Sequence, residues 1–247
     1  MNTLPHYRAV ILVLASNSEV YNNCRKVWKQ YMNVDPLIKV FFVYGQLSTQ
    51  LDDYDEISDI ILSDIPDNGF PVLIGKTICA MKQIHEKFSY DFFIRTNLST
   101  FWDFEKLHLH LNDLPTSNCY SGDGPLGNGG YLSTGYYLSG TDTIVTPEMI
   151  DSITKNSHLV DYNHVEDGAM GKYFNGILGA PMLPNRICFF EDIHSINEID
   201  KIQNRILEAK TNNKDHYRVK TLRGNRVEID LFIYKELLKN IYNISLI

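Results

Sequence analysis

The chain has 247 residues, 44% of them hydrophobic and 21% charged, which suits one large domain or two small ones with a substantial core and no long disordered stretch. A net charge of −7 argues against a nucleic-acid binder, which needs a basic face. The four cysteines (Cys24, Cys79, Cys119 and Cys188) form no CxxC pair, so thiolate metal binding has no support and they read as free thiols in a reducing compartment.

Strand and helix patterns alternate along the first half. Arg8 leads into the apolar run Ala9–Ala15, which is too short to span a bilayer and lacks the flanks of a signal peptide. It reads as a first strand buried on both faces, and a cytoplasmic location is the default that follows. After the polar turn Ser16-Asn17-Ser18, the residues Val20, Cys24, Val27, Trp28 and Tyr31 recur at helical spacing. Ile38–Tyr44 is a second buried strand, ended by Gly45, and Ile57–Leu62 a third. Pro71 opens a helix with Leu73, Thr77, Ala80, Ile84 and Phe88 on one face, and Asp91–Arg95 is a fourth strand. Asp103 is placed to cap a short helix through about Leu111.

The second half is less regular. Cys119–Ser121 and Tyr136–Ser139 are short strand candidates around the glycine-rich stretch Gly122–Gly130. Thr146-Pro147-Glu148 starts a helix, Asp167–Phe174 is helical, and Ile187–Phe190 is another strand. Ile196–Ala209 and Asp230–Tyr242 are amphipathic. The expected fold is α/β, a mainly parallel central sheet flanked by helices over residues 1–195, with 196–247 as a helical C-terminal extension packed on it. Such a fold predicts a nucleotide site at the carboxyl ends of its strands.

No phosphate-binding loop and no G-x-G-x-x-G is present, and the spacing of Gly122, Gly124, Gly127, Gly129 and Gly130 matches neither. The eight histidines show no H-E-x-x-H or H-x-x-x-H spacing, so a zinc hydrolase is not supported. The aromatic fraction, 12%, suits sugar handling and ordinary core packing alike, and core packing is the commoner role.

Four segments in order resemble the β-1,3-galactosyltransferase, β-1,3-N-acetylglucosaminyltransferase and Fringe group of GT-A glycosyltransferases. They are Arg25-Lys-Val-Trp28; Asp59-Ile-Ile-Leu62 with Asp64 and Lys76-Thr77; Tyr90-Asp-Phe-Phe-Ile-Arg-Thr96; and Tyr131-Leu-Ser-Thr-Gly-Tyr-Tyr-Leu-Ser139 with Val165-Glu166-Asp167. The resemblance implies a GT-A-like (Rossmann-like) fold and an enzyme of the hexosyltransferase type. A sugar would move from a nucleotide-diphosphate donor, with UDP as leaving group, to a hydroxyl of a glycan or glycoconjugate acceptor, with inversion. It assigns Asp167 and Glu166 to catalysis, Asp167 as the base that takes the acceptor proton. The structural alternative for this pair is a helix start favoured by the macrodipole.

Ser16, Asn17, Arg25, Lys76, Arg95, Asn97 and Ser99 are expected on the donor, with His216, Arg218 and Lys220 from the tail. Tyr131, Ser133 and Gly135 are expected on the acceptor. Tyr131 and Trp102 are candidates to stack on sugar, with core packing the commoner role for either. Where the resembled group carries three metal-binding acids, this chain has Asn97-Leu98-Ser99. No metal ligand and no cofactor is therefore expected, and Mn²⁺ or Mg²⁺ is disfavoured, because hard cations prefer charged oxygens. Asn97-Leu98-Ser99 also matches a glycosylation sequon, a reading set aside because the site would follow a buried strand. No nucleic-acid partner and no membrane span is expected. The alternative function is a degenerate GT-A domain that binds carbohydrate or protein without transfer.

Overall fold

A computed structural model describes residues 4–46, 51, 53–67, 72–124, 137–183 and 185–245. It divides into two units: Met1–Asn17, Pro36–Asn97 and Leu114–Asn185 form the first, and Ser18–Asp35, Leu98–Asp113 and Arg186–Ile247 the second.

The first unit is built on β1 (His6–Leu14), β2 (Ile38–Gln46), β3 (Asp59–Pro66) and β4 (Ser89–Asn97). Ala9 to Val13 are fully buried, as a strand with neighbours on both edges and cover on both faces requires. β1 pairs in parallel with β2 on one side and with β4 on the other, and β2 pairs in parallel with β3. The sheet continues through β7 (Asp142–Val145), β6 (Tyr120–Ser121) and β8 (Met182–Leu183), in the order β3-β2-β1-β4-β7-β6-β8. β7 runs antiparallel to both neighbours, whereas β6 and β8 are parallel. The expected α/β fold with a mainly parallel sheet is therefore the observed one. β7 is absent from the sequence reading: it is four residues long and half polar, and only its pairing with β4 and β6 buries Asp142 and Thr143.

α2 (Val72–Lys87) places Ile74, Ile78, Met81 and Ile84 in the core that contains Val10, Leu12, Val43 and Phe93. Pro71, expected at its start, lies outside the described residues. α4 (Pro147–Lys155) begins as read, with Thr146 at the N-cap and Pro147 in the first turn. The Thr146 hydroxyl does not cap the helix; it accepts from the Cys119 amide at 3.2 Å and ties α4 to the start of β6. α5 (Glu166–Gly171) is shorter than expected and continues as wider turns over Lys172–Ile177, where the Leu178 amide reaches back to Tyr173 O at 3.0 Å.

The second unit holds α1 (Glu19–Tyr31), α3 (Phe104–Asp113), α6 (Ile199–Thr211) and α7 (Arg226–Leu237). A small sheet of β5 (Thr100–Trp102), β10 (His216–Arg218) and β9 (Ile187–Phe189) joins them, in the order β5-β10-β9. β5 and β10, three residues each, are legible only through their pairing; the tail is thus helical apart from one strand. α1 buries Cys24, Val27, Trp28 and Tyr31 on one stripe and packs on α7. Asp103 caps α3 as expected, accepting from the Lys106 amide at 3.1 Å. Tyr31 stacks near Phe101 and Tyr242, with ring centroids 4.4 and 5.1 Å away, so much of the aromatic content goes into this core. Among the described residues no helix is long and apolar enough to cross a membrane. All four cysteines are free thiols; Cys24 and Cys119 are buried and Cys79 is exposed.

Candidate functional site

In the first unit the chain leaves β1 toward β2 and β3 on one side, then returns to β4 on the other. A crevice at the carboxyl ends of the strands is expected where the order reverses, between β1 and β4. Leu14 and Asn97 are register partners there, so Ser16 and Asn17, just beyond β1, and Asn97, the last residue of β4, come to the same edge. All three are half-buried.

Lys76 serves this edge from α2. Its Nζ donates to Ala15 O at 3.1 Å, to Asp67 O at 2.8 Å and to Asp67 Oδ1 at 3.3 Å. The same Asp67 oxygen accepts from the Gly45 amide at 2.8 Å, so one buried ammonium joins the segments that follow β1 and β3 to the end of β2. Gly45 has no alternative, since a Cβ there would lie 2.4 Å from Pro66 O. Burial pulls the Lys76 pKa down, and the Asp67 carboxylate pulls against it. The charge of Lys76 is spent inside the unit.

Arg95, one residue from the end of β4's buried run, pairs with Glu166 at the start of α5. Arg95 Nε donates to Glu166 Oε1 at 2.8 Å and Nη2 donates to Oε2, a bidentate pair whose side chains are 4% and 3% exposed. Thr77 Oγ1, on α2, adds a 2.9 Å bond to Glu166 Oε1. Arg95 Nη1 reaches forward to Asn97 Oδ1 at 3.2 Å. Burial pushes the Glu166 carboxyl above its ordinary range, while Arg95 and Thr77 pull it back. Asp167 is different: it is partly exposed, and its Oδ2 accepts from the Gly140 amide at 3.3 Å. Asn97, Arg95, Glu166 and Asp167 are thus one connected group.

The oxygens at the Asn97-Leu98-Ser99 stretch are neutral and already engaged. Asn97 Oδ1 accepts from Arg95, and Ser99 Oγ accepts from Arg218 Nη1 at 2.5 Å. Among the described residues there is no group of three or more His, Cys, Asp or Glu side chains placed to hold a metal ion. These residues do not fit a divalent cation, which wants several charged oxygens.

The second unit holds the remaining candidates. Arg25 is on the buried stripe of α1 and is 2% exposed. His216 is fully buried: its Nδ1 bonds Asp215 Oδ1 at 2.6 Å and its ring stacks on Trp102 with centroids 4.4 Å apart. His110 bonds the other oxygen of Asp215, so one buried carboxylate serves two imidazoles. Burial pushes the Asp215 carboxyl up, yet the two histidines outweigh it and hold it below its ordinary value. Trp102 has the core role, not an exposed stacking face. Arg218 and Lys220 are half-buried. Tyr131, Ser133 and Gly135 lie outside the described residues.

Sequence reasoning gave no role to Thr77, Asp67, Gly140, His110 or Asp215. Thr77 had a local signal in the Lys76-Thr77 run and Asp215 one beside His216; Asp67, Gly140 and His110 act through contacts between distant segments.

No sequence-family model matches the chain. No curated protein matches it in sequence. Solved structures do resemble it at low identity. A glycosyltransferase involved in glycosylation of the major capsid of PBCV-1 is 10% identical, with a TM-score of 0.49 over 91% of this chain and 98% of that one. The galactosyltransferase LgtC, solved with donor and acceptor sugar analogues, is 11% identical, with a TM-score of 0.43 over 96% and 97% of the two chains. The apo-form glycosyltransferase GlyE of Streptococcus pneumoniae TIGR4 is 10% identical, with a TM-score of 0.45 over 96% of this chain and 63% of that one.

Proposed function

We propose that the protein is a GT-A-like glycosyltransferase that moves a hexose from a nucleotide-diphosphate donor to a hydroxyl of a glycan or glycoconjugate, with inversion and with UDP as the leaving group. The observation that carries this reading is the placement of Asp167. A partly exposed carboxylate hangs from α5, next to a buried ion pair whose arginine also bonds the last residue of β4. The reversal of strand order beside that end of β4 supports a ligand site there, as is general for open parallel sheets.

In the proposed reaction the acceptor hydroxyl oxygen attacks the anomeric carbon from the face opposite the diphosphate. The hydroxyl proton passes to an Asp167 oxygen as the new carbon–oxygen bond forms. The bond from the anomeric carbon to the phosphate oxygen breaks, and its electron pair leaves with the nucleoside diphosphate. Asp167 suits the base: its oxygens are steadied by the Gly168 and Gly140 amides, and the half-buried group is within reach of solvent or an acceptor. Glu166, buried and paired through both oxygens with the Arg95 guanidinium, does not suit it.

The test is a panel of nucleotide hexoses offered with and without glycan acceptors, followed through release of nucleoside diphosphate and through acceptor mass. The reading expects one donor to be consumed in an acceptor-dependent way. A donor that binds without turnover would indicate a binding module, and no binding by any nucleotide sugar would end the reading.

A further inference from the structure

We infer that Arg95, Glu166 and Gly140 form a positioning device for Asp167 and do not themselves touch substrate; this rests on the transferase reading above for its purpose, not for its geometry. The guanidinium of Arg95 is buried and committed to both Glu166 oxygens and to Asn97. A donor phosphate would have to break that pair to reach it. Glu166 is equally committed, with Thr77 as its third bond. What the pair fixes is the first turn of α5, and Asp167 is the next residue along that turn.

Gly140 closes the device from the other side. Its amide donates to Asp167 Oδ2 at 3.3 Å. Its Cα faces the Arg95 guanidinium so closely that a Cβ would lie 2.3 Å from Nη1 and 2.7 Å from the central carbon. A flexible arginine tip would ordinarily move away from an added methyl. Here it is pinned by the bonds to Glu166 and Asn97, so a side chain at position 140 must displace the guanidinium, the Gly140 amide, or both. Glycine at 140 therefore lets one backbone segment pack on the arginine while its N–H holds the carboxylate. Three elements, β4, α2 and α5, together with the segment before β7, meet at this point within the first unit.

The device makes a distinctive claim: Gly140 acts through Asp167. Gly140→Ala should lower turnover by about 10²-fold, as a misplacement of about 1 Å does, while affinity for UDP, used as the probe, changes little. In an Asp167→Asn background the same Gly140→Ala change should have almost no further effect. An equal fold-loss in both backgrounds would overturn the proposal. Arg95→Lys and Glu166→Gln are less suitable single tests, because either change can unfold the protein. A second measurement does not depend on activity. Amide hydrogen exchange at Gly140 should speed up by about tenfold or more in Thr77→Val and in Asp167→Ala. Exchange unchanged in Thr77→Val would show that the Glu166 anchor does not control Asp167, and the proposal would fall even if the protein transfers sugar. Coupled exchange in a protein that turns over no nucleotide sugar would leave the device standing and remove the transferase reading.

Discussion

Thr77 and Glu166, 89 residues apart in sequence, share a hydrogen bond of 2.9 Å that fastens the middle of α2 to the first turn of α5. The bond matters because Glu166 is a buried carboxylate facing a buried arginine. Thr77→Val keeps the volume and removes the donor; hydrogen bonds to charged groups contribute about 1.5–3 kcal/mol. The expected result is a lower urea midpoint with an unchanged slope. Glu166→Gln removes the charge that compensates Arg95, and breaking a buried pair on one side costs about 3–5 kcal/mol. A loss in Glu166→Gln no larger than that in Thr77→Val would show that Arg95 and Glu166 do not form an ion pair in solution.

Asp167→Asn is expected to keep the fold and the affinity for a nucleotide-sugar donor. Transfer should fall by about 10²–10⁴-fold, because the amide cannot take the acceptor proton. Melting temperature and donor titration would confirm that the variant is folded and loaded. Turnover at the wild-type rate would remove Asp167 from the base role.

Donor binding and turnover should survive EDTA and gain little from added Mn²⁺. The physical reason lies at Asn97, whose only side-chain oxygen already accepts from Arg95, and at Ser99, whose hydroxyl accepts from Arg218. Neither offers the negative charge that holds a hard cation. Turnover assayed after chelation, with and without Mn²⁺, decides the matter. A strict Mn²⁺ requirement would show that a different set of oxygens binds the metal.

The buried thiols predict an alkaline limit. Burial pushes Cys24 up to about 11 and Cys119 up to about 12, from an ordinary value of 9.0. Well below pH 9 both thiols are neutral in the folded and unfolded chain and contribute no pH dependence. Between pH 9 and 11 the unfolded chain releases these protons and the folded chain keeps them, so stability falls as pH rises. The slope is up to about 1.4 kcal/mol per pH unit for each group. Urea midpoints from pH 8 to 10.5 should fall less steeply in a Cys24→Ala, Cys119→Ala variant than in the wild type. The exposed Cys79 should react at once with a thiol reagent in the native state, whereas Cys24 and Cys119 wait for unfolding.

Much of the first unit was legible in the sequence, for a physical reason. The centres of β1, β2 and β4 are buried on both faces, so they appear as the apolar runs Ala9–Ala15, Val40–Tyr44 and Phe92–Ile94, and α2 shows one apolar stripe. β5, β7 and β10 were not legible, because strands of three or four residues owe their conformation to partners far along the chain. The site divides in the same way. Glu166 and Asp167 stood out as adjacent acids before a helix, and Asp103 as a cap. Arg95 stood out as a cation near an expected strand end, and Lys76 as the cation of the Lys76-Thr77 run on an expected helix. Their partners, Glu166 at a separation of 71 residues and Asp67 through its backbone as well as its side chain, are tertiary facts that charge alone does not reveal.

Each unit is assembled from three separate stretches of chain, and this governs how the molecule can be made. During synthesis the first unit lacks β7 until the ribosome has passed residue 145 and β8 until it has passed residue 183, although β1 and β2 emerge early. The second unit gains α1 first and its partner α7 nearly last. Neither can be obtained by cutting the chain once, and a nascent chain must carry unsatisfied apolar surface on α1 through most of translation, until α7 is made. Expression yield should therefore depend on chaperone supply and elongation rate more than on the stability of the finished fold.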